Sequence, residues 1–157
     1  MTDHPFIGNA YCAVDGAGRL TLPPFVRSAL SRRSGARLIF VGCHDSDPCL
    51  IGYDRSFART LAFDCRRQRL RSELGAEGRW NTRLRRAFGF VELVELDMRG
   101  KVTLPPMMLR RARIDGGALV IGTGGAFEIW NPQRALDAGD PDLSELAAFH
   151  LDIRNAA

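Results

Sequence analysis

Two short stretches hold side chains whose type and spacing suit them to contact a ligand. Asp15-Gly16-Ala17-Gly18-Arg19 and Asp97-Met98-Arg99-Gly100-Lys101 each set a carboxylate four residues before a cation. An aspartate opening such a segment accepts backbone N–H groups and closes a turn. Gly18 and Gly100 stand where a tight turn needs positive φ. The cation is then left at the tip. An arginine there offers a planar fork that matches guanine O6 and N7, whereas a lysine offers only a point charge to a base edge or a phosphate. The candidate contact residues are Asp15, Arg19, Asp97, Arg99 and Lys101. The two aspartates act as turn formers or as orienters of the neighbouring cation, because a carboxylate facing a phosphate repels it. Seen alone, such cations are as readily mere decoration of exposed turns.

Other chemistry finds little support. His4, His44 and His150 lie in three unrelated contexts. There is no glycine-rich phosphate loop, no G-x-S-x-G elbow and no H-E-x-x-H, so no enzyme is expected. The loop Cys43-His44-Asp45-Ser46-Asp47-Pro48-Cys49 gathers metal-capable groups, but its C-x5-C spacing fits no common zinc module and no second ligand pair follows. Cys12, Cys43, Cys49 and Cys65 read as small buried thiols. No metal and no cofactor are expected.

The chain has 157 residues, enough for one or two small domains. No apolar run approaches the ~18 residues that cross a bilayer, and Met1 to Pro5 show no secretory pattern, so a cytoplasmic protein without membrane contact is expected. The net charge is +4, and Lys101 is the only lysine among 22 basic residues. Residues 1–90 carry 15 basic and 8 acidic groups, whereas residues 91–157 carry 7 and 10. A polyanionic partner therefore suits the first half better than the second.

The chain repeats itself at an offset of 82. Val14-Asp15-Gly16-Ala17-Gly18-Arg19-Leu20-Thr21-Leu22-Pro23-Pro24 aligns with Leu96-Asp97-Met98-Arg99-Gly100-Lys101-Val102-Thr103-Leu104-Pro105-Pro106, and six of the eleven positions are identical. A looser match follows between Arg37–Gly42 and Ala118–Gly122, then between Leu50–Asp54 and Phe127–Asn131, with residues 43–49 as an insertion in the first copy. Each copy reads strand, tight turn, strand, short helix, strand, turn, strand. The proline pairs end the second strand and suit the first turn of a helix, whose apolar face in the first copy is Phe25, Val26, Ala29 and Leu30. A unit of ~45–50 residues buries too little surface alone, so the copies are expected to share one core as a pseudo-symmetric domain.

Between the copies, Asp54 or Ser56 can cap a helix with Phe57, Leu61, Cys65, Leu70 and Leu74 along one stripe, broken by Gly75 and Gly78. A second short helix carries Trp80, Leu84, Ala87 and Phe88. Arg66, Arg67, Arg69, Arg71, Arg79, Arg83, Arg85 and Arg86 make this linker either a phosphate-binding face or a solvated or subunit-contacting one. Beyond Asn131-Pro132 a capped helix over 133–136 and a second over 144–149 are expected. Trp80, Phe88 and Trp130 are expected near the edges, which favours a homo-oligomer.

The doubled D-x-x-G-[RK]-hydrophobic-T-L-P-P pattern resembles the SpoVT/AbrB swapped-hairpin DNA-binding domain. Two such units joined by an arginine-rich helical linker resemble the MraZ family of transcriptional regulators, as do the endings Asp47–Tyr53 and Phe127–Trp130. The resemblance spans roughly Phe6 to Leu136. It implies an α+β fold, a pseudo-two-fold duplicated β-hairpin barrel with a helical linker and C-terminal helices. The divisions are a first unit over 6–54, a linker over 55–89, a second unit over 90–133 and a tail over 134–157. It further implies a cytoplasmic, nucleoid-associated regulator that forms ring-like homo-oligomers. Such a regulator binds double-stranded DNA at promoter-proximal direct repeats, upstream of a cell-division and cell-wall gene cluster that includes its own gene. The family's D-x-x-x-R signature falls on Asp15 and Arg19. In the second copy Lys101 stands where arginine is usual, and Arg99 supplies a basic turn residue where the first copy has Ala17. An antitoxin-like module of the same fold is the alternative, although such modules carry one unit and a disordered tail.

Overall fold

Each proline pair ends a strand and begins a helix, and this punctuation sets the order of elements. A computed structural model describes residues 4–35, 37–71 and 77–156, apart from the side chains at 68–71 and 77–80. The strands are β1 Asn9–Ala13, β2 Arg19–Thr21, β3 Leu38–Cys43, β4 Leu50–Tyr53, β5 Val91–Glu95, β6 Lys101–Thr103, β7 Gly117–Gly122 and β8 Phe127–Trp130. The helices are α1 Pro24–Arg33, α2 Arg55–Arg71, α3 Glu77–Leu84, α4 Pro106–Ala112, α5 Pro132–Leu136 and α6 Pro141–Ala156, with a π-helical turn over Arg85–Gly89. The fold is α+β, and its ladders are antiparallel. No helix among the described residues is long and apolar enough to cross a membrane.

The copies exchange strands. A six-stranded sheet runs in the order β1-β7-β8-β4-β3-β5, and β2 pairs with β6 in a separate two-stranded ribbon. β1 of the first copy lies on β7 of the second, and β5 of the second lies on β3 of the first. In the ribbon Leu20 stands opposite Val102, its own equivalent in the repeat, so a pseudo-two-fold axis passes between them. Two equivalent bonds extend this ladder: Leu22 N–H donates to Gly100 O and Leu104 N–H to Gly18 O, both at 2.9 Å.

The strand–turn–strand segments read from sequence as hairpins do not pair arm to arm. Beyond the bonds from Asp15 N–H to Arg19 O at 3.0 Å and from Asp97 N–H to Lys101 O at 2.9 Å, β1 and β5 join the large sheet and β2 and β6 form the ribbon. The reason is burial, since an isolated two-stranded hairpin has nothing to cover its apolar face. Exchange places Val14, Leu20, Leu22 and Val26 of one copy in a single cluster with Leu96, Val102, Leu104 and Met108 of the other.

The linker and tail differ in detail from the sequence expectation. Asp54 caps α2, accepting from Phe57 N–H at 3.2 Å, while the Ser56 hydroxyl donates to the same carboxylate at 2.7 Å. Gly78 lies inside α3 rather than breaking a helix. Leu74, Gly75 and the side chains of Leu70 and Trp80 lie outside the described residues. α6 is longer than the expected 144–149, because Asp140 Oδ1 accepts from Asp142 and Leu143 N–H groups and Pro141 opens the helix. Trp130 is not at an edge: it is 2% exposed, packed with Cys49, Leu119, Ala135 and Ala147 beneath the C-terminal helices. Phe88 is 48% exposed. α6 lies on β1 through His150 Nε2 with Asn9 Oδ1 at 2.6 Å and Arg154 donating to the Tyr11 hydroxyl.

One buried ion pair ties these parts together. Arg33, at the end of α1, donates from Nε to Asp54 Oδ2 at 2.8 Å and from Nη2 to Asp54 Oδ1 at 3.0 Å, with both side chains 1% exposed. The same guanidinium reaches Ser56, the carbonyls of His4 and Gly125, and the face of Phe6. Burial pushes the Asp54 carboxyl upward, but the Arg33, Ser56 and Phe57 hydrogen bonds outweigh it and hold it below the usual carboxylate range. Stability from this pair is therefore present above the unfolded value and is lost as pH falls through the folded one. Asp54→Ala strands the guanidinium, and urea unfolding should show a loss of about 3–5 kcal/mol. Replacing both partners with apolar residues (Arg33→Met with Asp54→Leu) should recover a large part of it. A single-variant loss below about 1 kcal/mol would show that the pair is dispensable.

Candidate nucleic-acid interface

Both turns are organised by their aspartates. Asp15 Oδ1 accepts from the N–H groups of Ala17 and Arg19, each at 2.9 Å, and Asp97 Oδ1 accepts from those of Arg99 and Lys101, each at 2.8 Å. The Arg19 backbone N–H, with that of Ala17 and the Arg19 side chain, holds the Asp15 carboxyl below its ordinary range; the Lys101 and Arg99 N–H groups do the same for Asp97. Gly18 at φ +80° and Gly100 at φ +79° close the turns in the left-handed region.

The two tips differ. Arg19 Nε donates to Asp15 Oδ2 at 2.9 Å, so Asp15 also holds the guanidinium. Lys101 makes no side-chain bond to Asp97 among the described residues; only its backbone is held. Along the ribbon Leu20 and Val102 are buried while Arg19, Thr21, Lys101 and Thr103 are exposed, with Arg19 opposite Thr103 and Thr21 opposite Lys101. One face of a two-stranded ribbon thus carries two cations and two hydroxyls in a pseudo-two-fold arrangement. Arg99 is exposed in the second turn, beside Met98 at 87% exposure.

Two further cations were not singled out from sequence. Arg27 of α1 lies over Gly100, and a methyl group added there would meet its Cδ. Arg27 and Arg37 line one concavity with Asp97, Met98 and Gly100. At the equivalent place beside Gly18 stands Leu109. Strand exchange moves first-copy arginines to the second-copy turn, and linear spacing carries no sign of that.

The arginine-rich linker is partly committed elsewhere. Arg83 pairs with Asp45 at 3.0 Å, and Arg86 Nη1 donates to Asp45 O at 3.2 Å. Arg66, Arg67 and Arg85 are not buried, and Arg67 lies 5.7 Å over the Phe63 ring. The side chains of Arg69, Arg71 and Arg79 lie outside the described residues.

The 43–49 loop gains a partner that the sequence did not show. Glu128 of the second copy brings its Oε2 to 3.4 Å from His44 Nε2, and donor atoms of His44, Asp47 and Glu128 lie within 4.8 Å of one another. His44 Nδ1 already accepts from the Ser46 and Asp47 N–H groups, at 3.2 and 3.0 Å. Neutral His44 must then carry its proton on Nε2, facing Glu128, which suits an organiser of the loop better than a metal ligand. Cys12, Cys43 and Cys49 are buried, and desolvation raises all three thiols, Cys12 to about 11.

No protein-family model matches the sequence. It is, however, 30% identical over 156 residues to the transcriptional regulator MraZ of Nitratidesulfovibrio vulgaris, covering 94% of each chain. The chain belongs to the MraZ family. Further family members are 29% identical in Roseiflexus castenholzii, over 95% of this chain and 99% of that one, and 28% identical in Alcanivorax borkumensis, over 84% and 86%. These matches take in both copies and the linker.

Gly18→Ala and Gly100→Ala each force a side chain into the left-handed region and onto a neighbour, Leu109 or Arg27. Each should lower the unfolding free energy by at least about 1 kcal/mol in urea. Asp15 and Asp97, with lowered values, stay charged throughout pH 5–8, so the order they impose is lost only as pH falls through their folded values, below the ordinary ~3.9. Carboxyl carbon resonances followed by NMR should titrate below that value, and a normal or raised midpoint would contradict the turn geometry.

Proposed function

We propose that the chain is a sequence-specific DNA-binding transcriptional regulator that presents the β2–β6 ribbon and its two flanking turns to the major groove. One observation carries this: each turn is closed by its aspartate's hydrogen bonds, and together the turns expose Arg19, Arg99 and Lys101 beside a two-stranded ribbon. The B-DNA major groove, about 12 Å wide, admits such a ribbon. Asp15 and Asp97 serve as orienters, and Arg27 and Arg37 add charge beside the second turn. Membership in a family whose relatives are named transcriptional regulators supports the same reading.

The units over 6–54 and 90–133 form a SpoVT/AbrB-like pseudo-dimer, with 55–89 as linker and 134–157 as tail. The protein acts in the cytoplasm at the nucleoid, on direct repeats upstream of a cell-division and cell-wall cluster that includes its own gene. It assembles into a ring. The β5 edge carries exposed Leu93 next to Leu38 and Phe40, which suits a heterologous contact with the next subunit.

A gel shift with DNA from upstream of its own gene is the direct test, and no retardation at low salt would overturn the reading. A ring engaging several repeats gains through effective concentration, so affinity should climb steeply across probes carrying one to four repeats and fall strongly with salt. Equal affinity across that series, or light scattering from a lone 17.4 kDa species, would remove the ring.

The tips should separate in mutants. Arg19→Ala removes a forked base contact, costing about 1–3 kcal/mol and relaxing specificity at one position. Lys101→Ala should weaken binding to all sequences alike and lower the salt slope by about one unit per site. Selection from random DNA decides this: an unchanged motif with Arg19→Ala and a lost one with Lys101→Ala would move readout to the second tip.

A further inference from the structure

Three arginines distant in sequence meet at one concavity away from the ribbon. Arg86 of the π-helical turn, Arg111 of α4 and Arg134 of α5 line a cavity of about 340 Å³ together with Cys43, His44, Ser46, Asp47, Cys49 and Ala112. None of the three has a carboxylate partner among the described residues. Arg86 spends one N–H on Asp45 O, Arg134 directs Nη1 to the carbonyls of Pro48 and Arg111, and Arg111 lies 4.5 Å over the Phe90 ring. Each guanidinium has five N–H donors, so most of this donor capacity remains for a guest. Cys43, Cys49 and Ala112 are buried at the lining.

We propose that this cavity binds a small phosphorylated molecule of pyrophosphate to nucleotide size. Three guanidiniums against the single carboxylate of Asp47 leave the lining net positive, which suits a phosphoryl group that accepts forked hydrogen bonds on several oxygens. The volume falls in the range of ligand pockets and exceeds what one inorganic phosphate fills. A DNA backbone suits it less well, because none of the lining residues belongs to the β2–β6 ribbon or its two turns. The residues come from both copies, and the 43–49 wall is the segment that the second copy lacks. α4 begins just after β6, so a guest held by Arg111 sits on the element that continues the proposed DNA-reading ribbon.

The test is calorimetric titration of the full chain with inorganic pyrophosphate, repeated with orthophosphate and with a nucleoside monophosphate. Saturable binding is expected, at least tenfold weaker in Arg86→Gln and in Arg111→Gln, with thermal unfolding of both unliganded variants unchanged. Arg59→Gln on exposed α2 should bind as the parent does. No saturation at millimolar pyrophosphate, or an equal loss in Arg59→Gln, would overturn the proposal. DNA retardation by the unliganded variants separates the two sources of phosphate. Unchanged retardation supports a free small molecule, whereas a tenfold loss assigns the cavity to the DNA backbone and overturns the small-molecule site.

Discussion

The pairing of β2 with β6 across the pseudo-two-fold axis is the constraint on which the other parts depend. A three-residue strand has too few backbone bonds to stand alone, and a repeat of this size has too small a core. Setting Leu20 against Val102 solves both problems, because each strand's buried residue becomes the other's cover. Once that contact forms, Leu22 and Leu104 bond to the opposite turns, the proline pairs start α1 and α4, and β1 and β5 are carried onto the far copy's third strand. The same pairing brings the two aspartate turns to one end of the ribbon's ladder each, so the fold and the proposed interface share one cause.

The electrostatics follow from where the acids are placed. Asp15 and Asp97 neutralise backbone N–H groups within the turns, which fixes loop shape while leaving cations outermost. Asp54 is instead turned inward, where it compensates a buried guanidinium and caps α2. Its equivalent, Asn131, caps α5 through Gln133 and Arg134 N–H groups without an arginine partner. A neutral cap suffices there, because nothing charged is buried beside it.

Divergence between equivalent positions gives each copy its own work. Arg27 corresponds to Leu109, so the second turn has a neighbouring cation where the first has an apolar contact. Ile51 stands directly across from Glu128, and only the glutamate reaches back to His44. The insertion 43–49 and the π-helical turn then make a concavity with no pseudo-symmetric twin in the chain's own pattern.

Local and periodic features were legible in the residues themselves. The offset of 82 marks a duplicated unit, while Asp-x-x-Gly identifies the turns, Pro-Pro the helix starts, and the Val26, Ala29, Leu30 spacing the buried face of α1, each of these three set by near neighbours in the chain. Only the tertiary structure decided which strands pair. Hairpin pairing and exchange use the same strand residues, and their difference lies in burial of surface from 82 residues away. For that reason Arg27 at the second turn, the Arg33–Asp54 pair, Glu128 facing His44 and the meeting of Arg86, Arg111 and Arg134 had no mark in linear spacing. Trp130 passed from an expected edge to the interior for the same cause, since α5 and α6 fold back to cover it. Short-range backbone chemistry is written along the chain, whereas long-range burial is settled only when both copies close on one core.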